Sequence, residues 1–183
     1  DCIRIGDIDG FKKVLDENVA QLVNWGHDEH NGCTVLRAST ELARESFMSI
    51  LLERGADVNA QSVLGVTALM LASRLGHPSC ISLLVDRGAN VNAKNSYDGG
   101  TALMKASQKG HPSCISVLLD RGANVDAKNN DGVTALMIAS NKEHPSCISL
   151  LLDRGADLNA KTNDGYTALM AASQEGHSSC ISL

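Results

Sequence analysis

Apolar residues along this chain come in short blocks, paired and separated by polar turns. In the stretch from Asp131 to Asp164, Leu136, Ala139 and Ser140 recur at three- and four-residue spacing. That narrow face predicts a helix from Ala135 to about Lys142. Gly132 lets the chain turn before it, and Thr134 is placed to accept an amide hydrogen bond as its N-cap. A wider stripe, Cys147, Ile148, Leu150, Leu151 and Leu152, predicts a second helix from Pro145 to about Arg154. Proline suits its first position, where the missing N–H had no partner. Gly155 supplies the left-handed residue that stops it, and Ala156 to Gly165 returns as an extended segment and a tight turn. The unit is helix, turn, helix, hairpin.

The unit recurs. Thr-Ala-Leu-Met stands at Thr67–Met70, Thr101–Met104, Thr134–Met137 and Thr167–Met170, with the threonines 34, 33 and 33 residues apart. A weaker copy, Thr34-Val35-Leu36-Arg37, lies 33 residues before the first. The windows that start at Thr101 and Thr134 are identical at 24 of 33 positions. Such a register belongs to a stack of equivalent units, not to one globular core. Helices shorter than about 12–15 residues are marginal alone, so each must bury its face against the next copy. Each leucine buried in this way contributes about 1.5–3 kcal/mol. The predicted architecture is a single all-α domain over residues 1–183. Its repeats run about 1–31 (partial), 32–64, 65–98, 99–131, 132–164 and 165–183 (partial). Both terminal copies break off within a helix, and solenoids need polar terminal repeats, so a longer array or a larger protein is expected.

Taken in order, Thr67-Ala68-Leu69-Met70, Gly76-His77, Leu83-Leu84 and Gly88-Ala89-Asn90-Val91-Asn92 resemble the ankyrin repeat. That family's pattern runs from a Thr-Pro-Leu-His helix start through a Gly-His turn and a Leu-Leu run to Gly-Ala-Asp-Val-Asn. The same order returns in the later copies, and the resemblance covers nearly the whole chain. It implies an ankyrin-repeat solenoid of helix-turn-helix units with β-hairpin-like loops, whose groove binds a partner protein. Four copies depart from the pattern, with Ala for Pro and Met for His. This change is expected to replace the family's Thr–His hydrogen bonding with an apolar thioether. The hairpin from Lys94 to Gly100 has one extra residue. The first hairpin, around Asn18 to Gly32, is about four residues longer than its counterparts and holds Trp25. Glu143 stands where Gly76, Gly110 and Gly176 stand in sister copies. A left-handed backbone there costs a non-glycine residue about 1–2 kcal/mol, which predicts a weak point.

Composition narrows the function. With 16 basic and 21 acidic residues the formal charge is −5. That sign argues against a main role in gripping nucleic-acid phosphates or an anionic membrane. The aromatics are Phe11, Trp25, Phe47, Tyr97 and Tyr166, so the core is aliphatic and stacking platforms for single strands are missing. No apolar run approaches the roughly 20 residues of a spanning helix. The six cysteines, read as unpaired, point to a reducing compartment, cytoplasmic or nuclear.

Two groups of residues offer metal or thiol chemistry. His77/Cys80, His111/Cys114 and His144/Cys147, with the variant His177/Cys180, place both ligand types three residues apart. One pair supplies only two ligands, and packed helices lie about 8–10 Å apart. That separation suits neither a shared tetrahedral site nor a disulfide, whose Cα atoms lie about 4.4–6.8 Å apart. The plainer reading makes each cysteine a small hydrophobe in the inter-repeat seam, where Phe47 stands in the earlier copy. Each histidine is then a turn residue bonded to neighbouring backbone. The second group, His27, His30 and Cys33, lies in the enlarged first hairpin, where solvent alone accounts for polar residues. Ser, His and Asp recur in every copy without a strained elbow or a unique pocket. Asp98-Gly99-Gly100 is a hairpin tip, not a phosphate loop. The expectation is no enzyme, no cofactor, no metal and no small-molecule substrate.

What remains is a surface. Positions that drift between copies fall at the hairpin tips and on the exposed side of the first helix of each pair. Among them, Val63, Leu64, Val66, Arg74, Leu75, Tyr97, Asp98, Lys105, Lys109, Asp131, Val133, Lys142, Asp164 and Tyr166 are the candidate partner-binding residues. Val63, Leu64, Val66, Leu75 and Tyr97 would form an apolar patch with Tyr97 as anchor. Lys105, Lys109 and Lys142 would form a basic line facing acidic side chains. The convex side repeats its serines and its Asp-Arg helix ends, and reads as solvated scaffold. The partner implied is another protein, with a metal- or thiol-dependent module and a purely architectural segment as alternatives.

Overall fold

The computed structural model describes residues 35–174. Helices α1 (Val35–Glu41) and α2 (Glu45–Glu53) form the first pair, α3 (Ala68–Leu75) and α4 (Pro78–Asp86) the second. Helices α5 (Ala102–Lys109) and α6 (Pro112–Asp120), then α7 (Ala135–Asn141) and α8 (Pro145–Asp153), repeat the plan. Helix α9 (Ala168–Gln174) opens a fifth unit. No strand occurs among the described residues, so the loops are turns and not the ladders that the word hairpin implies. The first partial repeat, the hairpin with Trp25, the His27/His30/Cys33 cluster and His177/Cys180 lie outside the described residues.

Local chemistry sets the helix ends. Thr67, Thr101 and Thr134 are extended, and each hydroxyl accepts the N–H three residues on, at 3.3–3.4 Å. Such a cap satisfies one of the donors that the first turn leaves open. The thioether that stands in place of the histidine still makes one polar contact at this start. Met137 Sδ accepts the Thr134 N–H at 3.5 Å; a thioether is a weak acceptor. Pro78, Pro112 and Pro145 open the second helices. At the first helix ends Gly76 and Gly110 take φ +80° and +70°. Glu143 takes φ +55° at the same place, as its alignment with the glycines required. Ala43 does so too, with φ +51°, which the sequence comparison did not single out.

Inner helices α1, α3, α5, α7 and α9 pack each on the next, and outer helices α2, α4, α6 and α8 do likewise. Leu69, Leu103 and Leu136 are fully buried in the inner row, as are Ala72, Ala106 and Ala139, where small side chains let the helices approach. Ile81, Ile115 and Ile148, with Leu84, Leu118 and Leu151, fill the space beneath the outer row. The core is thus one continuous strip, renewed by every unit.

Polar bonds tie the loops together at regular intervals. Asn59 Nδ2 donates to Gly88 O at 3.2 Å while its Oδ1 accepts the Asn90 N–H at 2.8 Å. Asn92 repeats this with Gly122 O at 3.1 Å and the Asn124 N–H at 2.8 Å. In the next unit Asp126 keeps only the accepting half, to the Asp157 N–H at 2.9 Å, because a carboxylate has no amide to donate. Asp126→Asn should therefore restore the second bond and raise stability by about 0.5–1.5 kcal/mol. A chemical denaturation midpoint equal to or below that of the parent would count against the ladder.

The convex side does more than face water. Arg87 pairs with Glu53 at 3.3 Å, Arg121 with Asp86, and Arg154 with Asp120 at 2.8 Å. Each arginine reaches back one repeat. They are straps between units, worth about 0–1 kcal/mol each because the carboxylates are largely exposed.

Candidate groove for a binding partner

The hairpin tips and the inner helices line one side of the stack. Neighbouring tips are joined by backbone bonds of 3.0 Å: Ser96 N–H to Leu64 O, Asn130 N–H to Asp98 O, and Asn163 N–H to Asp131 O. Gly65 and Gly132 permit this close approach, since a side chain on either would meet the next tip within 3.0 Å. The tips consequently form a continuous rim.

The inserted residue between Lys94 and Gly100 is absorbed by side-chain bonding. Asn95, 7% exposed, accepts the N–H groups of Tyr97 and Asp98 on its Oδ1 at 3.0 and 2.9 Å. Asp98 Oδ1 in turn accepts the Gly100 N–H at 2.9 Å. This Asx-type turn holds the backbone of the tip and leaves Tyr97 78% exposed. Asp98 Oδ2 pairs with Lys105 Nζ at 3.4 Å. Partial burial pushes the Asp98 carboxyl up. The Gly100 N–H, the Asn95 side chain and the Lys105 ammonium more than offset that, and hold it below the ordinary carboxylate range.

Two depressions lie along the rim. The larger, about 590 Å³, brings Val63, Leu64, Val66, Arg74 and Tyr97 together with Lys105. The smaller, about 370 Å³, brings Asp98, Val133, Lys142 and Tyr166 together, again with Lys105. Leu75, Lys109, Asp131 and Asp164 line neither. Of the expected basic line, Lys105 is paired with Asp98 and Lys109 lines neither depression. Sequence comparison missed Arg37, Met70, Leu71 and Asn95 in the larger depression, and Met104 and Met137 in the smaller. The methionines recur in the four Thr-Ala-Leu-Met copies, so a search for drifting positions passes over them.

The repeated histidines and cysteines occupy other ground. His111 Nε2 lies 3.2 Å from Arg74 O and His144 Nε2 lies 3.4 Å from Gln108 O, each joining the turn of the preceding unit. Cys80, Cys114 and Cys147 are free and buried in the seam, as Phe47 is in the earlier copy. Burial pushes all three thiols up to about 11, with Glu45 adding to the effect at Cys80. Among the described residues no three His, Cys, Asp or Glu side chains gather so as to hold a metal ion. At neutral pH these thiols should carry about a hundredfold less thiolate than in the unfolded chain. Alkylation mapped by mass spectrometry should accordingly be slow at Cys80, Cys114 and Cys147 in the native protein and fast in denaturant. Because the folded thiols ionise later than unfolded ones, stability should hold below pH 9 and fall as pH rises from 9 toward 11.

Among the described residues no helix is long and apolar enough to cross a membrane. No curated protein matches the chain. A family model described as ankyrin repeats (3 copies) matches it in three overlapping stretches, residues 2–95, 60–129 and 103–183. Ankyrin repeats are in general protein–protein interaction modules. With threonine caps on the inner helices α3, α5 and α7, proline starts on the outer helices α4, α6 and α8, and left-handed turns returning every 33 or 34 residues, the chain belongs to the ankyrin-repeat family.

Proposed function

We propose that this chain is a non-enzymatic scaffold that holds a partner protein in its groove and against its hairpin tips. The observation that carries the reading is the larger depression, where Val63, Leu64 and Tyr97 are 72, 56 and 78% exposed. Apolar side chains grouped in this way, rimmed by polar ones, mark surfaces that another molecule covers. A rigid aromatic held by a bonded turn is the usual form of an anchor. On the opposite side of the stack the repeated arginines are already taken up by neighbouring repeats. A metal- or thiol-dependent role has little to build on, since the shared cysteines are buried and ionise late. Free thiols of this kind fit a reducing compartment.

Tyr97→Ala and Leu64→Asp should each weaken partner binding by about tenfold or more. Both side chains are exposed, so the melting curve should stay within about 0.5 kcal/mol of the parent. Quantitative affinity capture with parent and variant chains checks this. Partners retained equally by both variants would remove the groove assignment.

A further inference from the structure

The two depressions differ in charge from the molecule that carries them. The whole chain is formally −5, yet Arg37, Arg74, Lys105 and Lys142 line the depressions, and Asp98 is the acidic side chain among the described residues there. Asp98 is also occupied, with one oxygen on the Gly100 N–H and the other on Lys105. The groove is therefore a cationic strip on an anionic protein, and it runs beside the exposed apolar groups Val63, Leu64 and Tyr97. Lys105 lines both depressions and links them into one track.

Resting on the reading of the groove as a partner site, we propose that its occupant is an acidic peptide segment bearing large apolar side chains. Its apolar residues cover Val63, Leu64 and Tyr97, and its carboxylates face Arg74 and Lys142, on either side of the Lys105–Asp98 pair. The long-range attraction of this strip for an anionic segment speeds encounter, while the apolar contact holds the complex. A basic or neutral segment would meet like charge, or none, along the same track. Single-stranded nucleic acid also carries negative charge. It needs successive aromatic platforms, however, and the described residues offer only Tyr97 and Tyr166 along the rim.

The test is selection of random twelve-residue peptides on the immobilised full chain, with Leu64→Asp/Tyr97→Ala chains as the counter-selection. Peptides rich in Asp and Glu around Leu, Ile, Phe or Trp are expected to emerge. The strongest, carrying fluorescein, should bind about tenfold more weakly to Arg74→Glu. Its affinity should also fall several-fold as salt rises from about 50 to about 300 mM. Circular dichroism melts of the variants should match the parent. Selected peptides that need Leu64 and Tyr97 but are basic or neutral would overturn the acidic assignment and leave the groove reading standing. Peptides indifferent to the double substitution would overturn both. A fluorescein-labelled dodecanucleotide that binds better than the acidic peptide would likewise overturn the proposal in favour of nucleic acid.

Discussion

Leu136→Ala should lower the free energy of unfolding by about 2–5 kcal/mol. Leu136 sits in α7, 1% exposed, with α5 packed on one side and α9 on the other. Truncating it removes buried contacts and leaves a cavity that rigid neighbours fill only in part. The stack adds a second effect. Units in a solenoid are held by their neighbours alone, so weakening the middle separates the units before it from those after it. Urea unfolding followed by circular dichroism should show a lower midpoint and a broader transition. Leu169 occupies the equivalent place in α9 but is 50% exposed. Leu169→Ala should cost less than half as much. A loss under about 1 kcal/mol at Leu136 would mean that α7 does not bridge its neighbours.

Gly110→Ala should cost about 2–3 kcal/mol, and the comparison with Gly122→Ala divides that figure into its causes. Gly110 has φ +70°, where a side chain costs about 1–2 kcal/mol on backbone grounds. An added β-carbon would also lie 2.7 Å from the His144 ring. The ring must then move away and give up its approach to Gln108 O, a further loss of about 1 kcal/mol. Gly122 is equally left-handed, at φ +84°, but has nothing within 4 Å of an added β-carbon. Gly122→Ala should therefore show the backbone part alone. The reverse change, Glu143→Gly, relieves φ +55° and should raise stability by about 1 kcal/mol. Equal losses at Gly110 and Gly122, read from thermal melts, would show that the histidine contact contributes nothing.

The residues that were legible in the sequence act within a few positions of themselves. The Thr134 hydroxyl bonds the Met137 N–H, Pro145 opens its own helix, and Gly155 turns the chain just past α8. The strain at Glu143 was legible for a related reason, since sister copies show glycine there. The candidate surface was legible only in part. Drift between copies pointed to Val63, Leu64, Tyr97 and Tyr166, which do line the depressions. It also pointed to Leu75, Lys109, Asp131 and Asp164, which do not. A position can vary because a partner reads it or because nothing constrains it, and repeat comparison does not separate the two.

Periodicity and local hydrogen-bonding preference were enough to establish the unit, its helix boundaries to within a residue or so, and the necessity of stacking. Helices of seven to nine residues have no other way to bury their apolar faces. The offset between successive units was decided only in three dimensions. That offset sends Arg87 to Glu53 and Asn92 to Gly122 O, and brings His144 against Gly110. The folded-back tip pairs Lys105 with Asp98, which removes one cation from the expected basic line. Such contacts join residues 30 or more apart, or turn on how an inserted tip folds back. Their energies depend on distance and direction between units, quantities that a one-dimensional pattern of side chains does not carry.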